Sequence, residues 1–201
     1  MSRLWFIVLL ALPTLVAGLE KPQGTVNIKR QTLFYDVTGR TQEQLRMELD
    51  AKGPLNEKLE KRFDARTDWR VDWSELKADP EFAKRGLHRL TRWQIDLSIR
   101  VTLPRWKDKD AGLPFLQRQW TVYQHKLQLH EAKHVQIAEA MAEALDREFK
   151  SVAFSEVYPS PERLAAALKK RADKIIQKYE REHFLYDHRT RHGRTQGAHF
   201  P

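Results

Sequence analysis

Two histidines one helical turn apart, with a glutamate directly after the first, are the residues of this sequence best suited to chemistry. They are His130, Glu131 and His134, in the stretch LQLHEAKHVQIA. Histidines at positions i and i+4 lie on one face of a helix and can bind the same zinc ion. The glutamate lies about 100° further around the helix, where it can act on a water molecule beside the metal. The spacing therefore predicts a zinc site with a general base next to it.

The helix that carries these residues is predicted from about Leu116 to about Val152. The three residues share one side of it with apolar residues, which are Trp120, Tyr123, Leu127, Ile137, Met141 and Leu145. Ionisable groups on a buried face are costly unless something pairs with them, and a divalent cation would do so. The alternatives are two ordinary histidines beside an acid, or a metal that only stabilises the fold.

A catalytic zinc needs a third protein ligand and keeps one coordination position open. The residues directly after His134 lack the glycine and histidine of the extended metzincin pattern, so this ligand is expected further along the chain. The candidates are Glu180, Glu182, His183, Asp187, His188 and His192. His192 precedes Gly193, which would let the backbone pass closely and the histidine turn inward. Tyr186 is a candidate donor to a developing oxyanion, although a place in the core is equally open to it.

The hydrophobic pattern of the N-terminal half predicts strands and one helix. The segment TVNIKRQTLFYDV is predicted to form one long strand or a strand pair, and TDWRVDW alternates like a strand. The segment HRLTRWQIDLSIRVTLPRW alternates for longest, which indicates a half-buried antiparallel strand. Thr41 and Gln44 form a capping box that begins a helix, and Gly53-Pro54 ends it.

The C-terminal half is predicted to be helical, so that the whole chain has an α+β fold. Ser160 and Pro161 begin a second long helix after the metal-binding one. The segment FLYDHRTRHGRTQGAHFP, which follows that helix, is expected to be irregular.

Residues 1–18 have the pattern of a secretory signal peptide, with Arg3, an apolar run and small residues at the expected cleavage site. Residues 19–201 are then expected to form one domain in the periplasm or outside the cell. An uncleaved anchor is the alternative, but the run is short for a span of about 20 residues. We therefore expect no stable membrane span after cleavage. The sequence has no cysteine, which excludes disulfides and thiolate chemistry.

The formal net charge of +9 is spread along the whole chain. A basic exported protein can favour anionic polymers of the cell envelope, but charge spread in this way is more typical of a solvated basic surface. The sequence contains no nucleic-acid recognition motif, so we do not expect nucleic acid as a partner.

Several segments together resemble a bacterial family of unknown function that is described as secreted zinc-dependent proteases. They are YDVTGRT, RVTLPRW, HEAKHVQIA and YDHRTRHGRTQGA, and the last is the most distinctive. The resemblance implies a zincin-like fold, in which a twisted, mostly antiparallel sheet with one helix packs on the metal-binding helix and a second helix. It also implies that His130 and His134 bind zinc and that Glu131 is the base. His192 is then the third ligand, with Asp187 as the alternative.

The sequence thus predicts an exported zinc-dependent hydrolase, a peptidase acting on peptide or protein substrates, with Glu131 and Tyr186 as its catalytic residues. One alternative is a non-catalytic protein that binds the cell envelope and uses its metal for stability. Another is an amidase acting on the stem peptides of peptidoglycan. A fourth protein ligand would favour the structural metal, whereas an open coordination position beside Glu131 would favour an enzyme.

Overall fold

The structure, a computed structural model, describes residues 21–57 and 60–201, with only the backbone of residues 76–78 and 80. The predicted signal peptide lies outside the described residues. The strands are β1 Gln23–Val37, β2 Leu55–Asn56, β3 Lys61–Arg62, β4 Arg66–Ala78 and β5 Leu90–Trp106. The helices are α1 Gln42–Lys52, α2 Pro80–Ala83, α3 Pro114–Ser155 and α4 Pro161–Thr190. Short 3-10 helices cover Lys109–Ala111 and Arg194–Gln196.

The main sheet has the strand order β1-β5-β4, and the predicted α+β class is confirmed. β4 runs antiparallel to β5, but β1 runs parallel to it. The sheet is therefore mixed, which corrects the expectation of a mostly antiparallel one. In the parallel register, Val26 lies beside Ile95 and Ile28 beside Leu97. This pairing places the apolar residues of β1 on the same face as those of β5, where they can join the core.

The larger core lies between this sheet and α3. The alternation predicted for β5 is confirmed, since Trp93, Ile95, Leu97 and Ile99 are all buried. They form one cluster with residues of α3 and α4, namely Ile137, Met141, Leu145, Phe149, Leu164 and Leu168. The three-and-four spacing of these helical residues forms the apolar stripe that covers the sheet.

A second core surrounds the N-terminal half of α3 and includes the last residues of the chain. Phe200 is fully buried, with its ring centroid 5.3 Å from that of Trp120 and 5.2 Å from that of Tyr123. Arg46 on α1 donates a hydrogen bond of 3.1 Å to the Phe200 carbonyl. The C-terminal tail is therefore packed against the N-terminal half of α3.

The starts of α1 and α4 follow the predicted signals, but the end of α4 does not. Thr41 and Ser160 cap α1 and α4 as predicted, each accepting a backbone hydrogen bond. α4, however, continues to Thr190, so residues 184–190 are helical and the expectation of an irregular segment is wrong for them. The helix stops where Arg191 and His192 adopt left-handed conformations, with φ of 50° and 53°. Among the described residues, none of the helices has both the length and the apolar character needed to cross a bilayer.

Leu145 is fully buried on α3, in the core between this helix and the sheet. Shortening its side chain tests how much this packing contributes to stability. We expect Leu145→Ala to lower the free energy of unfolding by about 2–5 kcal/mol, because it leaves a cavity in the larger core. Leu129→Ala is the matched control on the same helix, because Leu129 is 53% exposed. This control should change the free energy of unfolding by about 0.5 kcal/mol or less. Urea unfolding measures both, and equal effects would contradict the packing described.

Candidate metal centre

The His pair lies where α3 faces the last turns of α4. His130 and His134 are both buried, with exposed fractions of 4% and 7%. Their spacing of one turn places both rings on the side of α3 that packs against the rest of the protein, as the sequence predicted. Asp187, in the last turn of α4, reaches this point from the opposite helix.

Three side chains converge there on one small volume. The Nε2 atoms of His130 and His134 lie 3.2 Å and 3.1 Å from the same oxygen, Oδ1 of Asp187. The candidate ligand atoms of the three residues all lie within 4.8 Å of one another. Bonds of about 2.0–2.2 Å in a tetrahedral zinc site separate neighbouring ligand atoms by about 3.4 Å, close to these distances. These two imidazoles and the carboxylate, called the metal group from here on, match a three-ligand zinc site in both chemistry and spacing.

The structure brings Asp187, and not His192, into this group. His192 Nδ1 is 3.7 Å from the other Asp187 oxygen, Oδ2, but the His192 side chain is 45% exposed and its ring lies against Phe63. The left-handed turn after Thr190 carries His192 past the metal group. Gly193 does allow the close backbone approach that the sequence suggested, since a Cβ there would lie 3.1 Å from Cγ of the His130 ring.

Of the other candidate ligands, His183 is the one in contact with the group. Its Nδ1 lies 2.9 Å from Nδ1 of His134, and its ring stacks on Trp69. Burial and the neighbouring His134 lower the pKa of His183 to about 4, so that His183 is neutral above that pH. A neutral His183 can accept a hydrogen bond from Nδ1–H of His134, which leaves Nε2 of His134 for a metal. Glu180 and His188 are exposed, and Glu182 lies 3.8 Å from Lys178.

Glu131 lies beside the metal group without belonging to it. Its side chain is buried, and its Oε2 accepts a hydrogen bond of 2.6 Å from the hydroxyl of Thr67 on β4. Burial raises the pKa of Glu131 above that of an ordinary glutamate, although the hydrogen bond from Thr67 opposes the shift. The hydrogen bond from Thr67 thus holds the Glu131 carboxylate in one orientation next to the candidate metal site.

Thr67 lies outside the His-Glu-x-x-His motif, but its place in the alternation of β4 is visible in the sequence. Thr67 has the same parity along β4 as Trp69, Val71 and Trp73, so its side chain points to the same face of the sheet. Thr67 is thus the polar residue at the start of an otherwise apolar face. Its partner, Glu131, depends on how the sheet packs against α3, which the sequence alone does not show.

Tyr186 packs directly on the two histidines. Its ring stacks on His130 with 4.9 Å between centroids, and it meets His134 edge-on at 5.1 Å. The Tyr186 hydroxyl donates a hydrogen bond of 3.2 Å to Oε1 of Gln196 in the C-terminal tail. The phenol is therefore near the metal group, as expected for a candidate oxyanion donor.

Asp187 carries the negative charge of the group. Burial would raise the pKa of Asp187, but hydrogen bonds from His130 and His134 outweigh it and hold the pKa well below its usual range. A carboxylate that stays ionised between two imidazoles is suited to bind a divalent cation.

A pair of alanine variants separates Asp187 from His192 as the third ligand. We expect Asp187→Ala to weaken zinc binding by more than about 100-fold, because a directly coordinating group is lost. His192→Ala should bind zinc as the parent does, because His192 lies outside the group. Competition with a chromophoric chelator at fixed pH measures both affinities. Loss of binding in the His192 variant alone would restore His192 as the ligand.

The chain matches the family described as "Bacterial protein of unknown function (DUF922)" over residues 32–193, which is most of its length. Among curated proteins and among solved structures it has no match. The match includes the His pair, Glu131 and Asp187. Protease activity stays a prediction, since the family's description names no function. The chain belongs to this bacterial family of unknown function.

Proposed function

We propose that the protein is a zinc-dependent hydrolase, and more specifically a metallopeptidase that uses Glu131 as its general base. The observation that carries the proposal is the position of this buried carboxylate beside the group formed by His130, His134 and Asp187. A glutamate with no chemical task is rarely buried next to two histidines and an aspartate, because its desolvation is costly.

The number of ligands supports an enzyme over a metal that only stabilises the fold. Among the described residues, the group that could hold a metal has three side chains. Structural zinc sites are closed by four protein ligands, whereas catalytic sites have three and leave a position for water or substrate. His183 is the nearest other candidate ligand. Its Nδ1 contacts Nδ1 of His134, so His183 can orient the His134 ring but is not one of the three metal-binding side chains.

The side chains around the metal group have distinct tasks in this proposal. Zinc, when bound, supplies Lewis-acid chemistry that lowers the pKa of water to about 7 and polarises a carbonyl group. Glu131 accepts the proton of the attacking water and later delivers it to the leaving amine. Thr67 keeps the Glu131 carboxylate in one orientation through its 2.6 Å hydrogen bond. The Tyr186 hydroxyl donates to Gln196 in the structure, and turning that O–H from Gln196 to the substrate would make it the candidate donor to the oxyanion at the carbonyl.

The strand next to Glu131 supports a peptide as the substrate. Thr67 lies at the start of β4, and β4 is an edge strand of the sheet. An edge strand offers backbone groups with which an extended peptide can pair. A peptide bound in this way would pass beside Glu131. An amidase acting on envelope peptides would use the same metal chemistry, so substrate screening has to include such peptides.

Glu131→Gln tests the proposed mechanism. The amide keeps the shape of the side chain and is expected to leave zinc binding and the fold intact. Hydrolysis should fall by about 100-fold or more, because the base is lost. The readout is the digestion of a diverse peptide mixture that includes peptidoglycan stem peptides, followed by mass spectrometry. Glu143→Gln, at an exposed position of the same helix, is the matched control and should cleave like the parent.

Three outcomes would contradict this proposal. One is cleavage by the Glu131 variant at the rate of the parent. Another is a zinc-loaded parent that cleaves no substrate in the mixture while chelation lowers its melting temperature, as expected for a structural metal. Iron as the bound metal would also oppose it, because two histidines and a carboxylate also form the iron site of oxygenases.

A further inference from the structure

We propose that Gln196 is a positioning residue, which fixes the ring of His130 for metal binding and holds the hydroxyl of Tyr186 beside it. The inference rests on the proposed metal site and adds to it a residue outside the His-Glu-x-x-His motif. Gln196 also lies beyond residues 32–193, the part of the chain matched by the family.

The hydrogen bonds of one oxygen carry this inference. Oε1 of Gln196 lies 3.0 Å from Nδ1 of His130 and 3.2 Å from the hydroxyl of Tyr186. A carboxamide oxygen only accepts hydrogen bonds, so both partners must donate to it. His130 therefore carries a proton on Nδ1. A metal at Nε2 would replace the hydrogen that this nitrogen donates to Asp187, and the ring would then be the Nδ1–H tautomer.

That tautomer is the one the metal site requires. Nε2 is the His130 atom that faces Asp187, 3.2 Å from its Oδ1. A histidine ligand commonly donates its second ring N–H to an acceptor, which fixes the ring and makes the coordinating nitrogen a better ligand. Gln196 occupies this acceptor position for His130. For His134 the partner is a second imidazole, which can either donate or accept.

The backbone around Gln196 holds it against His130. The residue ends a 3-10 helix between Gly193 and Gly197, both with φ of 79°. A Cβ on Gly193 would lie 2.8 Å from the Cβ of Ala198, so this turn leaves no room for a larger residue. The same Cβ would lie 3.1 Å from Cγ of His130, so the backbone of the turn lies against the His130 ring.

The end of the tail fixes this turn from the other side. Phe200 is buried in the second core, and its carbonyl accepts a hydrogen bond from Arg46. Gln196 itself is solvent-exposed, so its position comes from the turn and the anchored tail. Because its side chain fills no part of the core, substituting it should leave the fold intact.

Two substitutions separate the hydrogen bond from the shape of the side chain. Gln196→Met has a similar size but no acceptor, and we expect it to weaken zinc binding by about 10–100-fold. Gln196→Glu keeps an acceptor for both donors and adds a charge that favours the cation, so it should bind zinc at least as tightly as the parent. Gln128→Met, at an exposed position of α3, is the control for the methionine itself.

Zinc affinity is measured by competition with a chromophoric chelator, and the melting temperature is measured without metal. Weak binding by the Met variant, recovery by the Glu variant and equal metal-free melting temperatures would support the positioning role. Equal affinity of the Met variant and the parent would overturn it, and so would an equal loss in both variants. If the parent itself binds no zinc, the proposed function fails together with this inference.

Discussion

The contact of two imidazole nitrogens with one carboxylate oxygen is the interaction on which the account of this protein depends. His130 and His134 present Nε2 to Oδ1 of Asp187, and the buried carboxylate of Glu131 lies next to them. Such a concentration of polar groups is costly to bury unless each is paired. The pairing within the group offsets part of that cost, and a bound divalent cation would offset more of it. The rest of the structure can be understood as the support that holds these four side chains in place.

Each part of the fold contributes one constraint. α3 packs against the sheet along most of its length and against the tail near its N-terminal half, which fixes the direction in which the His pair points. α4 extends far enough to bring Asp187 and Tyr186 to the histidines. β4 supplies the hydroxyl of Thr67 to Glu131, and the tail supplies the amide oxygen of Gln196 to His130. The site is thus built from segments that are distant in sequence, although its motif is local.

Local patterns predicted what depends on local geometry. The i and i+4 histidines, the apolar face of α3, the alternation of β5 and the capped starts of α1 and α4 were all readable from the sequence. Three features could not be predicted from the sequence: the parallel pairing of β1, the length of α4, and the presence of Asp187 in place of His192 beside the His pair. Each residue turns a helix by about 100°, so the ligand depends on where α4 ends and how it faces α3. The packing of Tyr186 on His130 favours the continued helix, and local propensity cannot show such a contact.

An anomalous difference map at the zinc absorption edge, from crystals of the zinc-loaded protein, tests the central claim most directly. The account predicts one strong peak at about 2.0–2.2 Å from Nε2 of His130, Nε2 of His134 and a carboxylate oxygen of Asp187. Glu131 should lie near the peak without bonding to it. A peak bonded to His192 with Asp187 turned away, a fourth protein ligand, or no peak between the two histidines would contradict the account.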